Sequence, residues 1–283
     1  MIAALGFDHR MTTSFLLASV LSWGIPSLAT PHGGDAYLGV VERVGDDVWV
    51  RAAFTRRAGG GDWTPTLSLE KLRGPANLDA AAGALPAQIT WRACRDGREL
   101  GTIVSSRRPF GRSAELGTHA LRSRAAFAAK APHDERFEII ATGDEAARPF
   151  VISTVSDACA VGPSLRAAGA DAVARVTGLV LAQRNLHTGK PNRLKDARGW
   201  QAGDWTIVDL TLEEEGGWLA IVAFAVEDDV RFTVKGARVV DWISADGDAV
   251  PDVVLWIDGH DRSGYMLVYA KFEKHAEFEW LYR

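Results

Sequence analysis

The stretch Ser244-Ala-Asp246-Gly-Asp248-Ala-Val-Pro-Asp252-Val-Val-Leu-Trp256 sets three carboxylates at close intervals directly before a short apolar run. Ser244, Asp246 and Asp248 are alternate residues, and alternate residues of a loop can point at one centre. Calcium takes about six to eight oxygens at roughly 2.3–2.6 Å from such loops. The candidate ligands are Ser244, Asp246, Asp248, the backbone carbonyl of Val250 and Asp252. A helix-loop-helix calcium hand needs Glu at the twelfth place, where Leu255 stands, so the loop joins strands and calls for a β fold. Asp and Gly also dominate plain polar turns, and that account of Asp246-Gly247-Asp248 stays open beside calcium.

Period-two patterning continues on both sides of the loop. Val208, Leu210 and Leu212 alternate with Asp209 and Thr211, while Phe278, Trp280 and Tyr282 fall opposite Glu277 and Glu279. Both patterns argue half-buried strands. Gly45-Asp46-Asp47 and Asp96-Gly97 are hairpin signals, and Gly216-Gly217 is a tight connection after Glu213-Glu-Glu215. Arg175 to Gln183 is expected to be a further strand. The fold class is therefore mainly β: two packed antiparallel β domains, or one elongated β-rich body, with a few short helices. Ala160 to Ala174, rich in Gly, Ala and Pro, is the best boundary. The expected division is 30–160, a linker at 161–174, and 175–283. No internal repeat of propeller length is visible.

The acidic loop resembles those of FG-GAP or VCBS-type β-propeller repeats, with their pattern Asp-x-Asp-x-Asp-Gly-x-x-Asp and a following apolar strand. The wider tail, Val240-Asp241, Gly259, Gly264-Tyr265-Met-Leu-Val-Tyr269, Phe272 and Phe278-Glu-Trp280-Leu-Tyr282, is similar to a group of secreted bacterial proteins ending in one such loop and an aromatic hairpin. Ile89-Thr-Trp91 and Asp96-Gly97-Arg98-Glu-Leu100-Gly101 extend the similarity weakly into the first half. The resemblance implies fold and compartment and no reaction. Two positions depart from the loop pattern: Ser244 replaces the first Asp, and Ala249 stands where Gly is expected. These departures favour a polar turn that has lost its metal.

The 283 residues are 47% hydrophobic and 24% charged, which excludes disordered and collagen-like classes. A net charge of −4 gives no basic footprint for nucleic acid. Phe15 to Trp23 is an apolar core of signal-peptide length, Ser27-Leu28-Ala29 supplies small residues for cleavage before Thr30, and Met11 is an alternative start. Residues 1–29 are therefore expected to be a signal peptide, and the mature protein exported to the periplasm or the exterior. No later run reaches the roughly 18 apolar residues of a membrane span. The two cysteines, Cys94 and Cys159, are compatible with one disulfide or with two buried thiols. Of ten tryptophans, Trp63, Trp200 and Trp205 sit beside polar residues and are candidates for a stacking surface, against plain packing.

Nucleophile elbows, phosphate loops, dinucleotide fingerprints and paired zinc histidines are absent from the sequence. His260, with Asp258, Asp261 and Ser263, has the residue types of a hydrolytic site without any motif. Asp228-Asp229 and the Glu213 run have the side chains of a carboxylate pair, and Arg56-Arg57 and Arg107-Arg108 those of an anion site. Solvated faces account for both. The leading expectation is an exported, non-enzymatic β-rich protein that binds a protein or cell-envelope partner, with no nucleic acid and no membrane span, its acidic loop a structural element with calcium as the implied cofactor. The alternatives are an exported hydrolase around Asp246, Asp252 and His260, and a periplasmic inhibitor or immunity-type protein.

Overall fold

A computed structural model describes residues 34–44, 47–66, 85–106, 111–112, 119–120, 123–127, 149–161, 165–189, 191–214, 217–227, 229–248, 250–259 and 262–281. Its first nine strands are β1 (Ala36–Val44), β2 (Asp47–Arg56), β3 (Thr64–Pro65), β4 (Gln88–Arg95), β5 (Arg98–Ser106), β6 (Gly111–Arg112), β7 (His119–Ala120), β8 (Ser123–Phe127) and β9 (Phe150–Ser153). Asp96 and Gly97 turn β4 into β5 with φ of 49° and 71°. Two positive values are what a two-residue hairpin of the right twist requires.

Six of these strands close into a ring. Around it run β1, β2, β8, β5, β4 and β9, which pairs back onto β1, every ladder antiparallel. Closure removes the unpaired edges of an open sheet. Gly39, Val41, Val50, Trp91, Ile103 and Ile152 share the inner face, whereas Gln88 and Thr90 on the outer face are exposed. Gly39 sits at a bulge between β1 and β2, where a Cβ would lie 2.6 Å from the Arg51 carbonyl oxygen. Trp91 anchors the interior, fully buried, with Nε1 donating to Ser105 Oγ at 2.7 Å.

The chain then leaves the ring through β10 (Leu165–Ala167), α1 (Ala170–Thr188), β11 (Arg193–Ala202), β12 (Trp205–Glu214), β13 (Gly217–Val226) and β14 (Asp229–Lys235). β10 to β14 form an antiparallel sheet in sequence order. Its β12 carries the expected alternation, Val208, Leu210 and Leu212 packing under the helix with Val176 and Val180 while Ile207 faces the other way, but Asp209 and Thr211 are buried too, so the strand is covered on both faces rather than half-buried. The expected strand at Arg175–Gln183 is helix. Val173, Val176, Thr177 and Val180 recur at the helical period and fill one stripe. Gly189 closes the helix at φ 67°, its N–H donating to the Asn185 carbonyl. The stretch expected as a linker thus holds β10 and the first turn of α1.

Last come β15 (Ala237–Ile243), β16 (Asp252–Asp258), β17 (Arg262–Tyr269) and β18 (Lys274–Leu281), a four-stranded antiparallel sheet. It lies between the other two and is buried on both faces. Val253, Leu255, Met266 and Val268 meet the β10–β14 sheet, and Val254, Tyr265, Leu267 and Phe278 meet the ring. Two-sided burial explains why Val253-Val-Leu-Trp256 and Tyr265-Met-Leu-Val-Tyr269 are continuous apolar runs. Gly236 makes the corner between sheets: its N–H donates to the Ala220 carbonyl of one, and its carbonyl accepts from the Asp258 N–H of the next. The result is a mainly β body with one helix among the described residues.

Candidate functional site

β15 ends and β16 begins on either side of the acidic loop, so the two strands hold its ends at a fixed spacing. Asp252 is the first residue of β16 and is 1% exposed. Its Oδ2 accepts from the backbone N–H of Ala245 at 2.6 Å and of Asp246 at 3.3 Å. Asp246 Oδ1 accepts from the Asp248 N–H at 3.1 Å, and Asp248 Oδ1 from the Val250 N–H at 2.7 Å. These are Asx turns, in which a carboxylate captures the backbone two residues on. Gly247 takes the left-handed conformation at φ 79°. Ala249 lies outside the described residues.

The loop also binds its surroundings. Ser244 donates its N–H to the Ala158 carbonyl at 2.8 Å, one residue before the disulfide partner Cys159. The disulfide Cys94–Cys159 ties that segment to β4. Just upstream, buried Asp241 Oδ1 accepts from the N–H of Asp96, in the β4–β5 turn, at 2.9 Å and from that of Trp242 at 2.7 Å. Asp246 Oδ2 accepts from the Ala270 N–H at 3.0 Å.

Ala270, Lys271 and Phe272 form the β17–β18 turn with φ of 54°, 57° and 65°. Each non-glycine residue in that region costs about 1–2 kcal/mol. Phe272 is buried and packs against Trp205, Phe224 and Trp242, with ring centroids 5.3, 5.4 and 6.4 Å away. Burying such a side chain contributes roughly 2–3 kcal/mol. That burial and the Asp246 contact offset the strain. The segment Tyr269-Ala-Lys-Phe272 contains no Gly, Asn, Asp or Pro, so the sequence carried no signal for this turn.

Asp252 Oδ1 is buried and has no hydrogen-bond partner. Burial first, then the nearby Asp246 charge, pushes the carboxyl up to about 8, against the pull of the Ala245 and Asp246 N–H groups. Among the described residues, no group of three or more acidic, His or Cys side chains is arranged to hold a metal ion. Both Asp246 oxygens and one oxygen each of Asp248 and Asp252 already accept backbone donors.

The hydrolytic alternative turns on Asp246, Asp252 and His260. Asp252 and Asp258 are the two ends of β16, about 20 Å apart at the rise of a strand. Ser263 is buried, and its Oγ donates to Asp258 Oδ1 at 2.6 Å. His260 and Asp261 lie outside the described residues, as do Asp228, Arg107 and Arg108. Glu213 and Glu214 face Arg193 and Arg184 as surface ion pairs. The suspected stacking tryptophans are packed: Trp63 is 2% exposed, Trp200 lies against Trp242, and Trp205 against Phe272. Among the described residues Trp218 is exposed, 55% accessible, with Lys195 Nζ 3.4 Å from its ring centroid.

A second feature lies on the far side of Phe272. An open groove of about 540 Å³ runs between β14 and the β17–β18 hairpin, with Phe232, Val234, Met266, Val268 and Phe272 as its apolar lining and Lys235, Glu273, Lys274 and His275 among its polar lining. Nothing in the alternation of β14 or β17 announces it, because it arises where two stacked sheets diverge. Among the described residues no helix is long and apolar enough to cross a membrane. No protein-family model, curated protein or solved structure matches the chain.

Proposed function

We propose that this is an exported, non-enzymatic β-rich protein that binds a protein or cell-envelope partner, and that its acidic loop is a structural joint. The observation that carries the binding half is the apolar groove between β14 and the β17–β18 hairpin, of a size typical of ligand sites. The joint is supported by the loop's own hydrogen bonds, which hold Ala158 and Ala270 to one strand end. The disulfide Cys94–Cys159 suits an oxidising compartment. The test is co-sedimentation of the purified protein with envelope fractions of its source cell. Saturable binding that unlabelled protein competes away supports the reading, and non-saturable binding overturns it.

One observation favours calcium as an addition to this reading. Asp252 Oδ1 is a buried oxygen with no partner, and hard cations take oxygen ligands. Ser244, Asp246, Asp248, the Val250 carbonyl and Asp252 would hold the ion. A metal that binds only the folded state raises the unfolding midpoint. A calcium-dependent rise that Asp246→Ala with Asp248→Ala abolishes would establish the ion; coincident curves with calcium and chelator would leave a polar turn.

A further inference from the structure

Four consecutive residues of β14, Phe232 to Lys235, line the groove. Successive side chains of a strand point to opposite faces, so a groove bordered by four in a row runs along the strand's edge. β14 is the last strand of its sheet and pairs with β13 alone. Gly236 donates its N–H to the carbonyl of Ala220, the residue opposite it. In an antiparallel ladder such hydrogen-bonded pairs alternate with pairs whose polar groups point away. The pairs Val234 with Val222 and Phe232 with Phe224 therefore bond inward. Thr233 and Lys235 direct their N–H and C=O groups into the groove.

We propose that the groove takes an extended polypeptide segment, added antiparallel as a sixth strand beside β14, with alternate apolar side chains filling the slot over Met266, Val268 and Phe272. This rests on the reading of the protein as a partner-binding module and names the partner's chemistry. Main-chain bonds to Thr233 and Lys235 supply registration, and the apolar slot selects side chains. Charge decides between a second copy and a foreign strand. Pairing β14 with its own copy about Thr233 would set Lys235 against Arg231, and like charges directly opposite are destabilising. Lys235 is exposed, with no ion-pair partner among the described residues, and takes an acidic residue at the amino-terminal end of the segment. Lys274, also at the groove, is held by Asp62 at 2.6 Å.

The geometry makes a chemical distinction. Residues of the incoming strand that bond to Thr233 and Lys235 direct their side chains away from the slot, while the residues between them fill the slot and turn their N–H groups outward. The probe is a labelled six-residue peptide beginning with Asp and then alternating Ile and Thr, with Ile in the slot, titrated against the whole protein by fluorescence anisotropy. N-methylation at the Thr positions is expected to weaken binding about tenfold or more, since it removes hydrogen bonds and adds bulk at the edge. N-methylation at the Ile positions is expected to leave binding within about twofold. Thr233→Pro, which deletes one edge donor at a position where edge strands accept proline, is expected to match the first loss. The peptide comparison stands even if that variant misfolds. Equal effects of the two methylation patterns, failure of the peptide to bind, or self-association through β14 overturns the proposal. If the peptide fails while envelope binding stays saturable, the groove falls and the partner-binding function stands; if envelope binding fails too, both fall.

Discussion

Asp246 holds Ala270 by a single hydrogen bond, Oδ2 to N–H at 3.0 Å, and so joins the acidic loop to a turn 24 residues further along the chain. The same carboxylate caps Asp248 through its other oxygen. Asp246→Ala leaves both donors without this acceptor in a part-buried setting, where each costs about 1–3 kcal/mol. The expected result is a loss of roughly 2–4 kcal/mol in urea unfolding, with part of it restored by Asp246→Asn, which keeps an acceptor oxygen for only one of the two donors. Equal losses for Ala and Asn would show that the carboxylate's hydrogen bonds are not what matters.

Asp252 predicts a pH dependence of definite sign. Its carboxyl is raised to about 8 in the folded protein from an ordinary 3.8, so the native state holds a proton that the unfolded state has released. Between those values stability falls as pH rises, because proton uptake favours the native side. The contribution is fully present below about pH 4 and gone above about pH 8. Asp209, pushed upward chiefly by burial, slopes the same way. Comparison of wild type with Asp252→Asn isolates the Asp252 part: the midpoint of the variant should fall less between pH 5 and 8, and parallel curves would refute it.

Gly236 occupies φ 68°, and a Cβ there would lie 2.1 Å from the Asp258 carbonyl oxygen. No rotamer relieves a clash with backbone. Gly236→Ala is expected to destabilise by about 3 kcal/mol or more, in the range of strain at special backbone sites. Calorimetry would check this. A cost below about 1 kcal/mol would mean that the corner between the sheets shifts freely.

The disulfide closes a loop with a sequence separation of 65 residues. On the chain-entropy account this contributes about 4 kcal/mol. Cys94 and Cys159 are both buried, and Cys159 Sγ lies 3.5 Å from the Ala93 carbonyl oxygen. Cys94→Ala with Cys159→Ala should lower the urea midpoint substantially without changing the far-ultraviolet spectrum. An unchanged midpoint would place the native constraint elsewhere.

What the sequence made legible was local. Asp96-Gly97 announced a hairpin because the turn type needs those residues, and the alternation Val208-Asp-Leu210-Thr-Leu212 announced a strand because one face is richer in apolar atoms. The region around Val173, Val176 and Val180 misled: β-branched residues favour strands, and within nine residues their helical spacing is easily overlooked, although Gly189 marks the stop. The candidate ligands Asp246, Asp248 and Asp252 lie at the β15–β16 connection, where their carboxylates accept backbone N–H groups. Their partner Ala270 and the orphaned Asp252 Oδ1 could not be read from spacing, because both depend on how the next hairpin folds over the loop. The groove was hidden for the same reason: neither Val234 nor Met266 carries a mark of the neighbour it lacks.

The closed ring also sets an order of events in time. β1 pairs with β2 within moments of being made, but its other side, at Leu38 to Val41, waits for Phe150 to Ser153. Contacts of such separation form late and slow the whole reaction. Until then β1 and β4 present bare edges to every neighbouring chain, and a population arrested at that point aggregates. Cys159 follows β9 by only a few residues, so the strand that ends the exposure also delivers the second thiol to Cys94, and oxidation then makes ring closure hard to reverse.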